Sequence, residues 1–70
     1  MLDKSLVDGN VHAERALKKR MKRIHRMLRK RQRFGNKRQV ERLTAKLQDA
    51  EVRLNARTSW LDANNIERSG

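Results

Sequence analysis

The chain contains no cysteine and no proline, only three glycines and two aromatic residues among 70, and no apolar run longer than two residues. Each shortage excludes something. Without cysteine there is neither a disulfide nor a thiolate metal site to supplement a small core, a composition that suits a reducing compartment. Without a long apolar run there is no transmembrane helix and no secretory signal core. The expectation is a cytoplasmic protein, or one of the host cytoplasm if its origin is viral, with no membrane partner. Phe34 and Trp60 supply little bulk, and a single core in so short a chain rarely contributes more than ~3–5 kcal/mol. One domain at most fits this length. The absence of proline, with abundant Arg, Leu, Lys, Glu, Gln and Ala, favours helix throughout. An all-α fold is therefore expected, stabilised in part by self-association or by a partner.

The scarcest feature over the middle of the chain is negative charge. Fourteen of the nineteen Lys and Arg residues lie from Arg15 to Arg42, against one acid, Glu41, which makes that stretch +13. The rest of the chain carries five cations and seven acids, −2, and the two parts give the overall +11. A near-neutral frame thus carries a concentrated cationic block. Such a block repels itself and favours a polyanionic partner, either nucleic acid or an acidic protein surface.

The apolar residues set the architecture. Leu17, Met21, Ile24 and Leu28 follow a heptad rhythm, and so do Val40, Leu43, Leu47, Ala50, Leu54 and Leu61, with Arg57 at the missing step. These are seams of helices packed side by side. Between them stands Phe34-Gly35-Asn36. Gly35 suits the left-handed residue that closes a helix. Asn36 suits an N-cap, and Gln39 three residues on completes a capping box.

Folding the chain at this turn into an antiparallel hairpin matches the two seams. Leu28 meets Leu43, Ile24 meets Leu47, Met21 meets the small Ala50, and Leu17 meets Leu54. One step further, Glu14 meets Arg57; nearest the turn, the Arg31 stem lies along Val40. The predicted fold is a two-helix antiparallel coiled coil over residues 10–63 with its turn at 34–36. Residues 1–9 are read as a short segment that can begin a helical turn at Asp3, end at Gly9 and fold onto Trp60 and Leu61. Asn10 is read as the cap of the first long helix, and residues 64–70 as a flexible tail.

The cations Lys18, Lys19, Lys22, Arg23, Arg26, Arg29, Lys30 and Arg33, with Lys37, Arg38 and Arg42 beyond the turn, are the predicted nucleic-acid-binding residues. They wrap the distal half of the hairpin. A merely solvated helix face mixes signs to gain i,i+4 pairs, but no acid occurs from Arg15 to Val40. Arginine outnumbers lysine twelve to seven. Its planar fork binds phosphate or carboxylate through two bonds and stacks on bases, which suits a structured interface. In composition, the first helix resembles the arginine-rich helices of some viral RNA-binding proteins. Asn10 to Ala16 also echoes the base-reading segment of basic zippers. A zipper's basic region is continuous with its heptads, however, whereas Gly35-Asn36 interrupts this helix, and the basic region here has an apolar seam of its own.

Three further features bear on function. Phe34 can stack on an unpaired base, or cover Val40 and the Arg31 stem to close the tip; the second reading is adopted. Trp60 is expected to pack on the N-terminal segment, with a partner anchor as its alternative role. Ala45, Val52, Ala56 and Ala63 form a thin stripe on the outer side of the second helix. With Trp60, the first three are the predicted partner or dimer contacts, and the stripe permits a four-helix dimer. His12 and His25 are isolated and read as exposed. No nucleophile–base pair, paired acids or glycine-rich phosphate loop is present, so no catalysis, metal or cofactor is expected.

The function expected is non-catalytic nucleic-acid binding by a viral, mobile-element or ribonucleoprotein component, RNA slightly favoured over DNA. The alternative is a small host-takeover inhibitor or assembly factor docking its basic hairpin on an acidic protein.

Overall fold

The computed structural model describes residues 3–68. Helix α1 spans Lys4–Arg33 and helix α2 spans Lys37–Ala63. They pack against each other as a hairpin whose longest dimension is 51 Å and whose thickness is 16–19 Å. At ~1.5 Å per residue the 30 residues of α1 account for about 45 Å of that length. The all-α hairpin expected from the paired seams is the fold observed.

The turn forms where the sequence places it. Gly35 has φ +68, the left-handed conformation that a side chain disfavours. Its N–H donates to Gln32 O and the N–H of Asn36 donates to Arg31 O, both at 3.3 Å. This is a Schellman closure, which satisfies two of the carbonyls orphaned at the end of α1. Asn36 then caps α2, its Oδ1 accepting from the Gln39 N–H at 3.4 Å. The capping box is only half made. Its return arm would need the Asn36 N–H, and that group is already spent on Arg31.

The start of α1 differs from the expectation. The helix runs unbroken from Lys4 through Gly9 and Asn10. Asp3 is the cap, its Oδ1 accepting from the Ser5 N–H at 2.9 Å. The helical start at Asp3 is thus present, but Gly9 does not end it and Asn10 does not cap. A helical glycine costs only ~1 kcal/mol. Asn10 offsets that cost by tertiary contact: its Nδ2 donates to Leu6 O at 2.8 Å while its Oδ1 accepts from Arg57 Nη1 at 3.0 Å across the hairpin. The expectation for Leu2 in the N-terminal segment lies outside the described residues.

The tail differs too. Asn65 is left-handed at φ 56. Its N–H donates to Asp62 O at 3.1 Å, and that of Ile66 to Leu61 O at 3.0 Å, a second Schellman closure. The chain then turns back far enough for Arg68 to reach Glu14 and Asp62. As far as Arg68, therefore, this segment is tied to the helices; positions 69 and 70 of the expected flexible tail lie outside the described residues.

The core is thin. Ile24, Leu28 and Leu43 form one buried cluster, with Val40 and Leu47 packed against it. Ala50 and Leu61 are also buried, and Leu17, Met21 and Leu54 are half-buried. Every member belongs to one of the two predicted seams. Toward the open end the seam turns polar, with Asn10 and Glu14 facing Arg57 and Thr58. A polar seam position fixes register at some cost in stability.

Candidate nucleic-acid interface

The distal half of the hairpin carries the cationic block on both helices. Lys18, Lys19, Lys22, Arg23, Arg26, Arg29, Lys30 and Arg33 project from α1, and Lys37, Arg38 and Arg42 from the first turns of α2; all eleven are exposed. The local reason is the heptad: the seam takes the apolar positions and leaves the others to solvent. Among the described residues only Lys18 of these eleven makes an ion pair, with Glu14 at 3.8 Å. The other ten have no acid within salt-bridge distance.

Helix dipoles add to the asymmetry. Lys30, Arg31 and Arg33 occupy the last turn of α1, where the helix end is negative and cations are favoured. Lys37 and Arg38 open α2, and no acid lies in that first turn. Cations there face the positive end of a dipole, an arrangement that costs ~0.3–1 kcal/mol per charge and that an arriving anion relieves. The surface between these side chains is grooved. One shallow cleft is lined by Lys19, Lys22, Arg23 and Arg26, another by Asn36, Arg38, Gln39 and Arg42. A third, lined by Met27, Arg31, Gln39, Arg42, Leu43 and Lys46, runs beside the apolar core.

Phe34 does not close the tip as expected. It is 79% exposed, the most exposed large apolar residue described. As the C-cap of α1 it has left the seam, and Gly35 reverses the chain directly after it. It lines a cleft with Arg29, Lys30, Gln32 and Arg33 and does not join Val40 among the residues packed against the core cluster.

At the opposite end, Trp60 is half-buried and shares a cleft with Asn10, Arg53, Ala56 and Arg57. Ala45, Val52 and Ala56 are exposed on the outer side of α2, Val52 at 69%. His12 and His25 are exposed. Among the described residues no group of three or more His, Cys, Asp or Glu is arranged to hold a metal.

The proximal end also contains what sequence reasoning missed. Glu14, 3% exposed, does not pair with Arg57. Its carboxylate accepts from Thr58 Oγ1 at 2.9 Å and from Arg68 Nε at 3.1 Å, and Arg68 Nη1 continues to Asp62 at 2.9 Å. Arg57 instead reaches one turn further, to Asn10. Burial raises the Glu14 pKa. The hydrogen bonds from Thr58 and Arg68, with the charges of Arg68 and Lys18, outweigh it and hold the group below the ordinary carboxylate value. The pKa of Arg68, already high, is raised further, chiefly by its bond to Asp62. The Arg68 side chain is 23% exposed, so water still screens the pair. The available signal was Glu14 itself, the sole acid on a seam position of α1. Its partner Arg68 lies beyond α2 and follows no helical period, so spacing could not supply it.

The two ends thus divide by charge: at the open end Glu14 and Asp62 are tied into internal bonds with Arg68, whereas the cations at the tip are left to solvent. Neither a protein-family model, nor a curated protein, nor a solved structure matches this chain.

Proposed function

We propose that this protein is a non-catalytic nucleic-acid-binding hairpin that grips backbone phosphates with its distal half, RNA somewhat favoured over DNA, and that it acts in a cytoplasm. The observation that carries the reading is the twelve exposed cations from Lys19 to Arg42 with no acid within salt-bridge distance among the described residues. The hairpin could have neutralised them with i,i+4 acids, as it does for Arg53 with Asp49 at 3.1 Å. Their mutual repulsion lowers the stability of the free protein and is relieved by a polyanion. They also lie on two helices around one tip, an extended surface of a size suited to a phosphate backbone.

The test is salt-dependent binding of the full chain to short RNA and DNA. If about six to ten cations contact phosphates, affinity falls ~10³–10⁵-fold between about 50 and 200 mM salt. Replacing Arg26, Arg29, Arg33 and Arg38 together with Gln weakens binding and flattens that slope, with helicity retained because Gln is a fair helix former. Arg53→Gln, outside the block, changes little. A four-Gln variant that binds both nucleic acids like the parent, yet loses a protein recovered with the parent after nuclease treatment, replaces this reading with docking on an acidic protein.

A further inference from the structure

We infer that the tip of the hairpin is a stacking site for an unpaired nucleobase, with the ring of Phe34 as its platform; this rests on the nucleic-acid reading above and narrows it to single strands, loops or bulges. Phe34 stands 79% exposed at the head of the turn, beside a cleft lined by Arg29, Lys30, Gln32 and Arg33. Leaving an aromatic ring in water is unfavourable, and burying one removes ~150–250 Å² of surface. The ring cannot return to the core from its position. Residue 34 is the C-cap, and the left-handed Gly35 after it, fixed by bonds to Gln32 and through Asn36 to Arg31, sends the chain away into α2.

The surroundings choose the occupant. The cleft that the ring shares holds three cations and one amide, so an apolar peptide side chain would bring nothing for them to bind. A nucleotide brings both halves: a flat π-face for the ring and a phosphate for the guanidinium or ammonium groups next to it. Arginine beside the ring can also stack on the same or the adjacent base. Inside a duplex the base faces are already occupied by their neighbours, so away from its ends only an unpaired base can use Phe34. The ring carries no hydrogen-bonding group, so stacking on it is tolerant of base identity and does not by itself separate RNA from DNA.

The experiment measures affinities of the full chain for oligouridylate and oligothymidylate of about twelve nucleotides, and for a mixed-sequence RNA duplex of about the same length, at fixed salt; a single site is of this order or shorter. Phe34→Ala is expected to weaken binding to both single strands by about 5- to 150-fold and to leave the duplex within about twofold. Phe34→Trp is expected to restore single-strand affinity. In a Trp60→Phe background, the emission of that new indole should be quenched by either single strand and not by the duplex. If Phe34→Ala binds single strands like the parent, or loses single strand and duplex alike, or if the tip indole is not quenched, the stacking site is wrong while phosphate gripping stands. A parent chain that binds none of the three overturns both readings.

Discussion

Truncating Ile24 is the most direct measure of how little holds this hairpin together. Ile24 is 5% exposed and central to the cluster with Leu28 and Leu43, on which Val40 and Leu47 pack. Replacement by Ala deletes three carbons from that cluster. Such truncations cost ~2–5 kcal/mol, the range reflecting how far a site can collapse. A two-helix layer only 16–19 Å thick adjusts more readily than a deep core, so the low end applies, about 2–3 kcal/mol. The whole fold has only ~3–5 kcal/mol to lose. Ile24→Ala should therefore remove half or more of the stability and lower Tm by roughly 10–20 °C, given ~4–8 °C per kcal/mol for a chain of this size. Ile24→Asp, which puts a charge into the same cluster, should abolish the helical signal at room temperature. The control is Val52→Ala. Val52 is 69% exposed on the far side of α2, and its loss should stay within about 0.5 kcal/mol. Circular dichroism followed through thermal and urea unfolding reads all three. An Ile24→Ala variant as stable as the parent would refute the seam as the source of stability. A Val52→Ala loss equal to that of Ile24→Ala would show the outer face of α2 to be covered in solution, and the folding unit to be the four-helix dimer rather than one hairpin.

The two described glycines should respond in opposite directions. Gly9 lies within α1, and a methyl group added there would meet nothing within 4 Å, so Gly9→Ala should stabilise by about 0.5–1 kcal/mol. Gly35 is equally open but sits at φ +68, so Gly35→Ala should cost ~1–2 kcal/mol and Gly35→Asn less; urea midpoints decide, and equal signs would sink the argument. Acid unfolding should depend on Glu14. Its folded pKa lies below its unfolded one, so the unfolded chain takes up the proton first. Its contribution is present above the ordinary carboxylate range and disappears as pH falls through the lower folded value. Glu14→Gln should flatten the decline of Tm below about pH 5, and parallel declines in parent and variant would rule that role out.

The amino-acid order alone determined which residues meet in the core, Ile24 and Leu28 of one helix with Val40, Leu43 and Leu47 of the other, because heptad spacing admits one apolar face per helix. It determined the turn as well, since Gly35 tolerates the left-handed conformation that the closure needs. The location of the cationic block was equally legible, because charge density is read by counting. Tertiary structure decided what spacing could not express. Gly9 and Asn10 read locally as a stop and a cap, yet the Asn10–Arg57 bond across the hairpin carries α1 through them. Spacing pairs Glu14 with its seam neighbour Arg57, but the chain turns back after Asn65 and delivers Arg68 to it, a contact 54 residues away in sequence. By position in the sequence, Phe34 suits a lid for Val40. Its backbone place as the C-cap, one residue before the reversal, points it away from the seam and leaves it among Arg29, Lys30 and Arg33. The periodic parts of the chain follow short-range rules and can be read in one dimension. Its ends and its tip are set by which groups meet when two long helices fold together, and that is a property of the assembled hairpin.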